Sequence, residues 1–394
     1  MPADDNSIRD ATMDLKPFKI CADEDALVDL QSRLSRTRWP RQVDDGSWEA
    51  GADRSYMESL CTYWMNEYDW RAAEAALNRW PQFETNIDGA RIHFLHIRSP
   101  HPDARPLLMV HGWPSTPFEF AKLFGGLTDP AGHGNPSGQP YHIVAPSIPG
   151  YGWSGPVTEP GWHPGRIAHA FRELMSRLGY ERFAAFGADM GSPISIELAH
   201  AYPEALIGLY LTLIPSGLQP ADGSPTPDEQ RQLNANELLR RTEGGYAAIQ
   251  ATKPDTVAYG LTDSPVGLAA WLVEKFRSWT DCNGDLESIL SKDEILTTVM
   301  TYWLTATAGS SGRLYYELAK YFGNEETRID RTRVLVPTGV GVFPKELYLT
   351  SERIAEDHFQ IEHWSQMPRG GHFAAVEQPE LLLADVRKFF DHRQ

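Results

Sequence analysis

Cysteine and positive charge are both scarce in this sequence of 394 residues. The three cysteines, Cys21, Cys61 and Cys282, lie too far apart for a disulfide framework or a CxxC metal knuckle, and their odd number favours a reducing compartment. Lys and Arg number 36 against 53 Asp and Glu, which gives a net charge of −17. This charge repels nucleic-acid phosphates and anionic lipid surfaces, so neither is an expected partner.

Long hydrophobic runs and metal-binding motifs are also absent. No stretch of about 18 apolar residues occurs, and the acidic start, MPADDNSIRD, contains no apolar signal segment. HExxH, P-loop and clustered Cys/His motifs do not occur, so no metal or cofactor is indicated. The segment GYGWSG at 150–155 matches GxGxxG, but Pro156 and Pro160 follow it where a pyrophosphate needs a helix N-terminus. We expect a cytoplasmic protein that does not contact membranes.

Hydrophobic periodicity divides the chain into a helical part and a part that alternates strands and helices. Residues 1–84 are predicted to form a helical meander, with one helix within 18–39 and a second over 55–80. A hairpin around Asp88-Gly89 follows. Strand-like runs and amphipathic helices then alternate, as in a mainly parallel sheet covered on both faces. The predicted strands cover 106–110, 142–146, 183–187, 205–214 and 334–338, and the predicted helices cover 163–178, 191–202 and 378–391.

The alternation is interrupted by a block of helix signals at 217–324. One of these signals is Glu229, an acid in the capping position after Thr226-Pro227. Because strand-like runs resume after the block, we predict one α/β domain made of 85–216 and 325–394, with the block inserted as a helical cap.

The segment Gly-Ala-Asp-Met-Gly at 187–191 stands between a predicted strand and a predicted helix. It matches the G-x-nucleophile-x-G elbow, with Asp189 in the position of the nucleophile. An Asp that merely caps a helix gives the same short pattern, but the strand and helix around it favour the elbow. The backbone N–H groups of Trp113, in the HGWP loop, and of Met190 are expected to form an oxyanion hole. Both side chains are expected to line the substrate pocket.

The other candidate catalytic residues follow the elbow in chain order. In this class of fold the order is nucleophile, acid, histidine, which makes His372 in the segment RGGHF the candidate base. Glu346 is the preferred acid because it follows the strand at 334–338 at loop distance, whereas Asp330 precedes that strand. Phe373 is expected to line the pocket. Further competing acids are Glu352, Glu356 and Asp357.

An aspartate nucleophile changes the expected reaction. A carboxylate is ionised near neutral pH and attacks an sp³ carbon to give an alkyl ester, so opening of an epoxide and displacement of a halide both fit. An epoxide oxygen needs a proton donor opposite the nucleophile, and phenols on a lid suit that role. The residues alone do not rank the tyrosines of the insertion, which are Tyr246, Tyr259, Tyr302, Tyr315, Tyr316 and Tyr321.

These motifs resemble those of the microsomal-type epoxide hydrolases over nearly the whole chain. The matching phrases are HGWP, the Asp elbow, KPDTVAYGLTDSPVGLAAWLVEKFRSWTD, SSGRLYYE, FPKEL and RGGHFAAVEQPE. The resemblance implies an α/β-hydrolase fold with an epoxide hydrolase N-terminal domain and a cap, and cofactor-free conversion of an epoxide and water into a vicinal diol. It implies Asp189 as nucleophile, His372 as base and Glu346 as acid. It also implies that Tyr246 and Tyr315 donate to the epoxide oxygen.

The sequence departs from the family pattern in two places. The family elbow usually reads Gly-Gly-Asp-Trp-Gly, whereas Ala188 and Met190 flank the aspartate here, which suggests a different, bulkier substrate. The N-terminal membrane anchor of eukaryotic microsomal members is not seen. The chain therefore resembles soluble bacterial members, some of which act in polyketide and enediyne natural-product pathways.

Other interpretations stay open at this stage. A haloalkane dehalogenase uses the same Asp–His pair, but it normally holds the halide with side chains at two particular positions. Met190 and Trp113 occupy these positions here, and they are not the usual halide-binding residues. In a catalytically silent hydrolase fold used for binding or assembly, Asp189 would have no catalytic role. An esterase is disfavoured because Asp would form a mixed anhydride with an acyl group. The N-terminal meander either wraps the core and cap or contributes to a homodimer interface.

Overall fold

The computed structural model describes residues 15–43, 46–221, 223–323 and 333–393. Nine strands occur in these ranges: β1 Lys16–Phe18, β2 Gln82–Ile87, β3 Ala90–Ile97, β4 Arg105–Val110, β5 Tyr141–Pro146, β6 Phe183–Gly187, β7 Leu206–Leu211, β8 Val334–Val342 and β9 Phe359–Gln366. They form one sheet with the order β1-β2-β3-β5-β4-β6-β7-β8-β9. The first three pairs of neighbours in this order are antiparallel, and the remaining five pairs are parallel.

Fifteen α-helices surround the sheet within the described ranges. Four lie before β5: α1 Glu24–Ser35, α2 Arg54–Asn66, α3 Trp70–Leu77 and α4 Ala121–Thr128. Two flank β6: α5 Pro164–Arg177 and α6 Gly191–Ala201. Six form the insertion between β7 and β8, called the cap below: α7 Pro227–Glu243, α8 Gly245–Thr252, α9 Pro254–Asp263, α10 Pro265–Trp279, α11 Lys292–Leu304 and α12 Ala308–Gly323. The last three are α13 Glu352–His358, α14 Ala374–Glu377 and α15 Pro379–Phe390.

The predicted hairpin is confirmed. β2 and β3 pair in an antiparallel register that places Ile87 opposite Ala90. Asp88 and Gly89 both have positive φ angles, 51° and 80°, which is the backbone geometry that a two-residue hairpin turn requires. The hairpin therefore forms where the sequence changes from helical to alternating periodicity.

The prediction of a single helix over 55–80 is wrong, because the structure has two helices there, α2 and α3. Asp69 separates them and caps α3, since its side chain accepts a hydrogen bond from the backbone N–H of Ala72 at 3.1 Å. Both helices present apolar side chains to the core, so the periodicity of the sequence continues across the break.

The sequence analysis did not include several short or peripheral elements, namely β1, β9, α4 and α13. Two of them, β1 and β9, are the outermost strands of the sheet. The side chains of β9 are mostly only partly buried, so the strand lacks the continuous apolar run of an interior strand.

The order of the strands determines where the candidate catalytic segments meet. β4 and β6 are parallel neighbours, with Val110 opposite Gly187, so the loops after them leave the same edge of the sheet side by side. β8 and β9 end at the same edge. A parallel bridge between Lys345 and Gly371 keeps the segments that follow these two strands together.

The N-terminal helices lie against the cap. The polar contacts that join them include Arg33 to Asp263 at 2.8 Å, Tyr63 to Asp293 at 2.8 Å and Tyr68 to Thr297 at 3.0 Å. Across the parts of the chain that the structure describes, no helix combines the length and the apolar character needed to cross a lipid bilayer.

Gly191, the first residue of α6, is required by the close approach of this helix to β4. A Cβ atom on Gly191 would clash with the carbonyl oxygen of Val110 and lie 2.8 Å from that of His111. We expect Gly191→Ala to lower the free energy of unfolding by about 1–3 kcal/mol, as overpacking does. Urea denaturation followed by circular dichroism measures this change.

Gly260 in α9 provides the matched control, because no atom lies within 4 Å of a Cβ added there. Gly260→Ala should leave stability unchanged or raise it by up to about 1 kcal/mol, since Ala is the better helix former. Equal midpoints for the two variants would show that the approach of α6 to β4 is not tight.

Candidate active site

Asp189 occupies the turn between β6 and α6 with a φ angle of 47°, in the left-handed region that side chains other than glycine rarely adopt. Small neighbours make the turn possible: a Cβ on Gly187 would lie 2.6 Å from the carbonyl oxygen of Gly191, and one on Gly112 would overlap the Asp189 side chain. The carboxylate of Asp189 therefore projects from the sheet towards the HGWP loop. Its Oδ1 accepts a hydrogen bond from the backbone N–H of Trp113 at 2.7 Å.

The structure brings His372 to the other oxygen of this carboxylate, and Glu346 to the opposite side of the imidazole. His372 Nε2 lies 3.3 Å from Asp189 Oδ2, and His372 Nδ1 lies 2.6 Å from Glu346 Oε1. Glu346 Oε1 also accepts the backbone N–H of Leu347 at 2.6 Å, which holds the carboxylate in place. The competing acids Glu352, Glu356 and Asp357 belong to the segment of α13, and Asp330 lies outside the described residues.

The charge of His372 is governed by its two carboxylate neighbours. Burial lowers the pKa of His372, but the charges of Glu346 and Asp189 and their hydrogen bonds outweigh this effect and raise the pKa well above its usual value. The imidazole is therefore protonated in the resting site, between two anions. Only 2% of its side chain is exposed, so water screens these interactions little.

Two of the cap tyrosines contact Trp113. The Tyr246 ring stacks on the Trp113 indole with a centroid distance of 5.2 Å and an angle of 9°. Tyr315 packs edge-on against Trp113 at 6.0 Å and against Tyr246 at 5.8 Å. Burial raises the pKa of both phenols, and the charge of Asp189 raises both further, so both remain protonated. Two neutral hydrogen-bond donors thus stand near the carboxylate.

The remaining cap tyrosines lie elsewhere. Tyr316 is next to Tyr315 in sequence, but its ring packs under the cations of Arg313 and Lys320, each 5.5 Å away. Tyr259 is 82% exposed. Tyr302 and Tyr321 have hydroxyl partners: Tyr302 donates to the carbonyl oxygen of Ser115 at 2.8 Å, and Tyr321 donates to Glu197 at 2.8 Å.

Aromatic rings enclose the imidazole. Trp279, at the end of α10, packs edge-on against His372 at 5.0 Å, and Phe373 does the same from the neighbouring position at 5.0 Å. Phe373 also stacks with Trp279 at 6.2 Å. Met190 is buried at the start of α6, immediately after Asp189. The sequence analysis did not identify Trp279, because its position in the cap follows no catalytic motif.

Comparison with known proteins identifies the family. A family profile described as "Epoxide hydrolase N terminus" matches residues 15–120, and one described as "alpha/beta hydrolase fold" matches residues 105–243. The chain is 38% identical to "Epoxide hydrolase 1" of Sus scrofa over 413 aligned positions, which cover 98% of this chain and 89% of the relative. The chain belongs to the epoxide hydrolases.

Two solved structures agree with this assignment. The juvenile hormone epoxide hydrolase of the silkworm Bombyx mori superposes with a TM-score of 0.87 at 33% identity, over 95% of this chain and 93% of that chain. The epoxide hydrolase of Aspergillus niger superposes with a TM-score of 0.83 at 28% identity, over 95% of both chains. The predicted microsomal-type family and the predicted α/β-hydrolase fold are therefore confirmed.

In this epoxide hydrolase, Glu377 holds the histidine loop to the cap. Its carboxylate accepts the backbone N–H groups of Asp281 at 2.7 Å and of Gly371 and Phe373 at 2.9 Å each. The backbone N–H of His372 itself donates to the carbonyl of Trp279 at 2.9 Å. Glu377 lies within the phrase RGGHFAAVEQPE, but the sequence gives it no role, because all of these partners are backbone amides.

Glu119 is a second acid that the sequence analysis did not identify. Its Oε1 is buried and has no hydrogen-bond partner among the described residues. Burial raises the pKa of Glu119 to about 8, although a hydrogen bond from Ser115 and the charge of His372 lower it in part. Glu119 lines a cavity of about 490 Å³ between α3, α11 and the core, which Phe373 and Glu294 also line. The epoxide hydrolase thus holds a neutral carboxyl beside its candidate active site at pH 7.

The raised pKa of Glu119 predicts a dependence of stability on pH. The folded carboxyl binds its proton up to about pH 8, whereas the unfolded one, with a pKa of 4.5, releases it earlier. Between these values the folded state holds the extra proton, so each rise of one pH unit lowers the free energy of unfolding by about 1.4 kcal/mol. Glu119→Gln removes this effect. The Tm of this variant minus the Tm of the wild type, both measured by scanning calorimetry, should increase as the pH rises through this window.

Glu294 supplies the control on the same cavity. Burial tends to raise the pKa of Glu294, but hydrogen bonds from Ser291 and the charge of Lys122 hold it below its usual value. The difference in Tm between Glu294→Gln and the wild type should therefore stay constant over the same pH range. Parallel Tm profiles for the wild type and Glu119→Gln would contradict the assignment of a neutral Glu119.

Proposed function

We propose that this epoxide hydrolase forms a covalent alkyl ester on Asp189, which water then hydrolyses to a vicinal diol. The supporting observation is the position of the Asp189 carboxylate, with one oxygen 2.7 Å from the Trp113 N–H and the other 3.3 Å from His372 Nε2. Tyr246 and Tyr315 stand in the cap near the same carboxylate.

In the first half-reaction, Asp189 Oδ2 attacks a carbon of the epoxide ring. The C–O bond of the ring breaks, and its electron pair stays on the oxygen, which takes a proton from Tyr246 or Tyr315. The hydrogen bond from Trp113 holds Oδ1, and Oδ2, which faces His372, is the oxygen that attacks. The products of this step are a hydroxyalkyl ester and a tyrosinate.

In the second half-reaction, the change of charge on Asp189 activates His372. The ester carries no negative charge, so one of the two anions that raise the pKa of His372 disappears. His372 then gives up its proton, which returns to the tyrosinate and restores the neutral phenol, and the neutral imidazole becomes a base that Glu346 orients.

Water deprotonated by His372 attacks the carbonyl carbon of the Asp189 ester. The backbone N–H groups of Trp113 and Met190 stabilise the tetrahedral oxyanion. Collapse of this intermediate breaks the bond to the alkyl oxygen, which takes the proton of the newly formed acid. The diol leaves, Asp189 is again a carboxylate and His372 again carries a proton, and no cofactor takes part. Membership of a natural-product pathway, a homodimeric state and a cytoplasmic location stay predictions from the sequence.

The trapped intermediate gives the direct test. His372→Gln should form the ester and fail to hydrolyse it, because the base is lost while Asp189 remains. After incubation with an epoxide such as styrene oxide, the intact mass should rise by the mass of the whole epoxide, and the label should map to the peptide that contains Asp189. The double variant Asp189→Asn/His372→Gln should gain no mass.

Other outcomes of the same experiment assign a different reaction. An added alkyl group without its halogen, after incubation with a haloalkane, would indicate a dehalogenase. An epoxide adduct on another peptide would move the nucleophile away from Asp189. No adduct from any member of a broad panel of epoxides would count against covalent catalysis and favour a silent fold.

The roles of the cap phenols give a second prediction. Tyr246→Phe and Tyr315→Phe should each slow ester formation by at least about tenfold, and the double variant by about 10²–10⁴-fold, the usual contribution of general acid catalysis. Single-turnover measurements give this rate directly. Tyr316→Phe is the matched control and should react at the wild-type rate, because its ring packs against Arg313 and Lys320. Equal rates for all variants would refute the assignment.

A further inference from the structure

Lys275 carries a buried charge that the proposed reaction does not use. The residue belongs to α10 and is 6% exposed. Its ammonium group forms an ion pair with the carboxylate of Glu274. Lysine is rarely buried to this extent, because removing its charge from water is costly. Apolar residues of similar volume are often as stable as a buried ion pair, so a buried lysine at this position calls for a functional explanation.

The ammonium group of Lys275 lies over an aromatic ring of the active site. Its Nζ is 4.8 Å from the centroid of the Tyr246 ring and 5.9 Å from the centroid of the Trp279 ring. The Tyr246 ring stacks on Trp113, and Trp279 packs against the imidazole of His372. Lys275 is therefore in direct contact with one of the two phenols that stand near the nucleophile.

The other neighbours of Tyr246 disfavour a negative charge on its phenol. Three aromatic rings contact the Tyr246 ring: Trp113 at 5.2 Å, Trp279 at 5.1 Å and Tyr315 at 5.8 Å. The faces of aromatic rings carry a negative electrostatic potential. Asp189 adds a full negative charge, which raises the pKa of Tyr246. Lys275 supplies a positive charge at the same ring.

The ion pair with Glu274 does not cancel this positive charge at Tyr246. The side chain of Lys275 is 8% exposed, whereas that of Glu274 is 20% exposed. Glu274 also accepts a hydrogen bond from the hydroxyl of Ser278 at 2.9 Å. The carboxylate supplies the counter-charge that a buried ammonium group needs. Because the carboxylate is the more exposed partner, water screens its field more strongly, and a net positive field remains at the ring.

A cation over the ring has its largest effect when the epoxide opens. In the proposed first half-reaction, a cap phenol gives its proton to the ring oxygen and becomes a tyrosinate. The negative charge of a tyrosinate is shared between its oxygen and its ring, so a cation attracts it more strongly than it attracts a neutral phenol. An interaction that strengthens as the reaction proceeds lowers the barrier of that step. Lys275 keeps its own proton throughout.

We propose that Lys275 is a positioning residue that acts through Tyr246, because its ammonium charge stabilises the tyrosinate that forms when the epoxide ring opens. Tyr246 is then the phenol that gives up its proton, and Tyr315 donates a hydrogen bond and stays neutral. This inference rests on the proposed function, since a tyrosinate forms only if a cap phenol protonates the ring oxygen. The proton that His372 gives up later restores the Tyr246 phenol.

Removal of the charge tests this proposal. Lys275→Met replaces the ammonium group by an apolar side chain of similar length, and single-turnover measurements with an epoxide such as styrene oxide separate the two half-reactions. Ester formation should slow by about 10–100-fold, because a full charge acts at short range in a site with little water. Ester hydrolysis should not slow by more than about twofold, because no negative charge develops on Tyr246 in that step.

Lys320→Met is the matched control. Lys320 also belongs to the cap, and its Nζ lies 5.5 Å from the centroid of the Tyr316 ring, which the proposed reaction does not use. This variant has the same net charge as Lys275→Met and should react at the wild-type rate. Equal slowing of both half-reactions in Lys275→Met would indicate a structural role and overturn the proposal, as would no slowing of either.

A double-mutant cycle shows whether Lys275 acts through Tyr246. In the Tyr315→Phe background, Lys275→Met should still slow ester formation by about 10–100-fold. In the Tyr246→Phe background it should change the rate by less than about twofold, because the phenol that the cation stabilises is absent. The same slowing in both backgrounds would contradict an effect through Tyr246.

A more acidic phenol should compensate for the lost charge. Replacement of Tyr246 by 3,5-difluorotyrosine nearly preserves the shape of the side chain and lowers the cost of forming the anion, and burial keeps the phenol protonated. This replacement should speed ester formation more in Lys275→Met than in the protein with Lys275. Lys275→Arg keeps a cation over the ring and should retain most of the rate. No rescue by either change would count against an electrostatic role.

The failure of this proposal and that of the proposed function are distinguishable. If Tyr246→Phe and Tyr315→Phe leave ester formation unchanged, the cap phenols do not protonate the ring oxygen, and the proposed function fails at that step. If both variants slow ester formation but Lys275→Met does not, only the role of Lys275 fails.

Discussion

The contact of one carboxylate, that of Asp189, with a backbone N–H on one side and an imidazole on the other determines the rest of this structure. It requires β4 and β6 to be parallel neighbours, because the N–H of Trp113 and the carboxylate of Asp189 must leave the same edge of the sheet. It requires a positive φ angle at Asp189, and therefore small residues such as Gly191 where α6 approaches β4. Glycines therefore occupy the positions around this turn where a Cβ atom would clash.

The same contact explains why several acids are buried around a single histidine. Asp189 and Glu346 raise the pKa of His372, whereas Glu119 carries a raised pKa and adds no charge at neutral pH. The site thus contains one cation between two anions, with neutral donors above it in the cap. In the proposed reaction, esterification removes the charge of Asp189 and so lowers the pKa of His372, because little water is present to screen this charge.

The sequence predicts best those features that local pattern and strand order determine. The elbow at Asp189, the HGWP loop, His372 and the preference for Glu346 all follow from short motifs beside predicted strands, and the structure brings these residues together. The choice of Tyr315 over its neighbour needed family resemblance. The buried carboxyl of Glu119 could not be predicted, because its environment depends on how α3 and α11 pack against the core. The single long helix was mispredicted because apolar periodicity continued across the break between α2 and α3.

The attachment of the histidine loop to the end of α10 has a consequence for how molecules enter. The amide of His372 is bound to the carbonyl of Trp279, and Glu377 links Asp281 to the same loop. A motion that lifted this end of the cap would therefore either break these hydrogen bonds or draw His372 away from Asp189. Opening of the cap and integrity of the contact between His372 and Asp189 are thus coupled through the backbone.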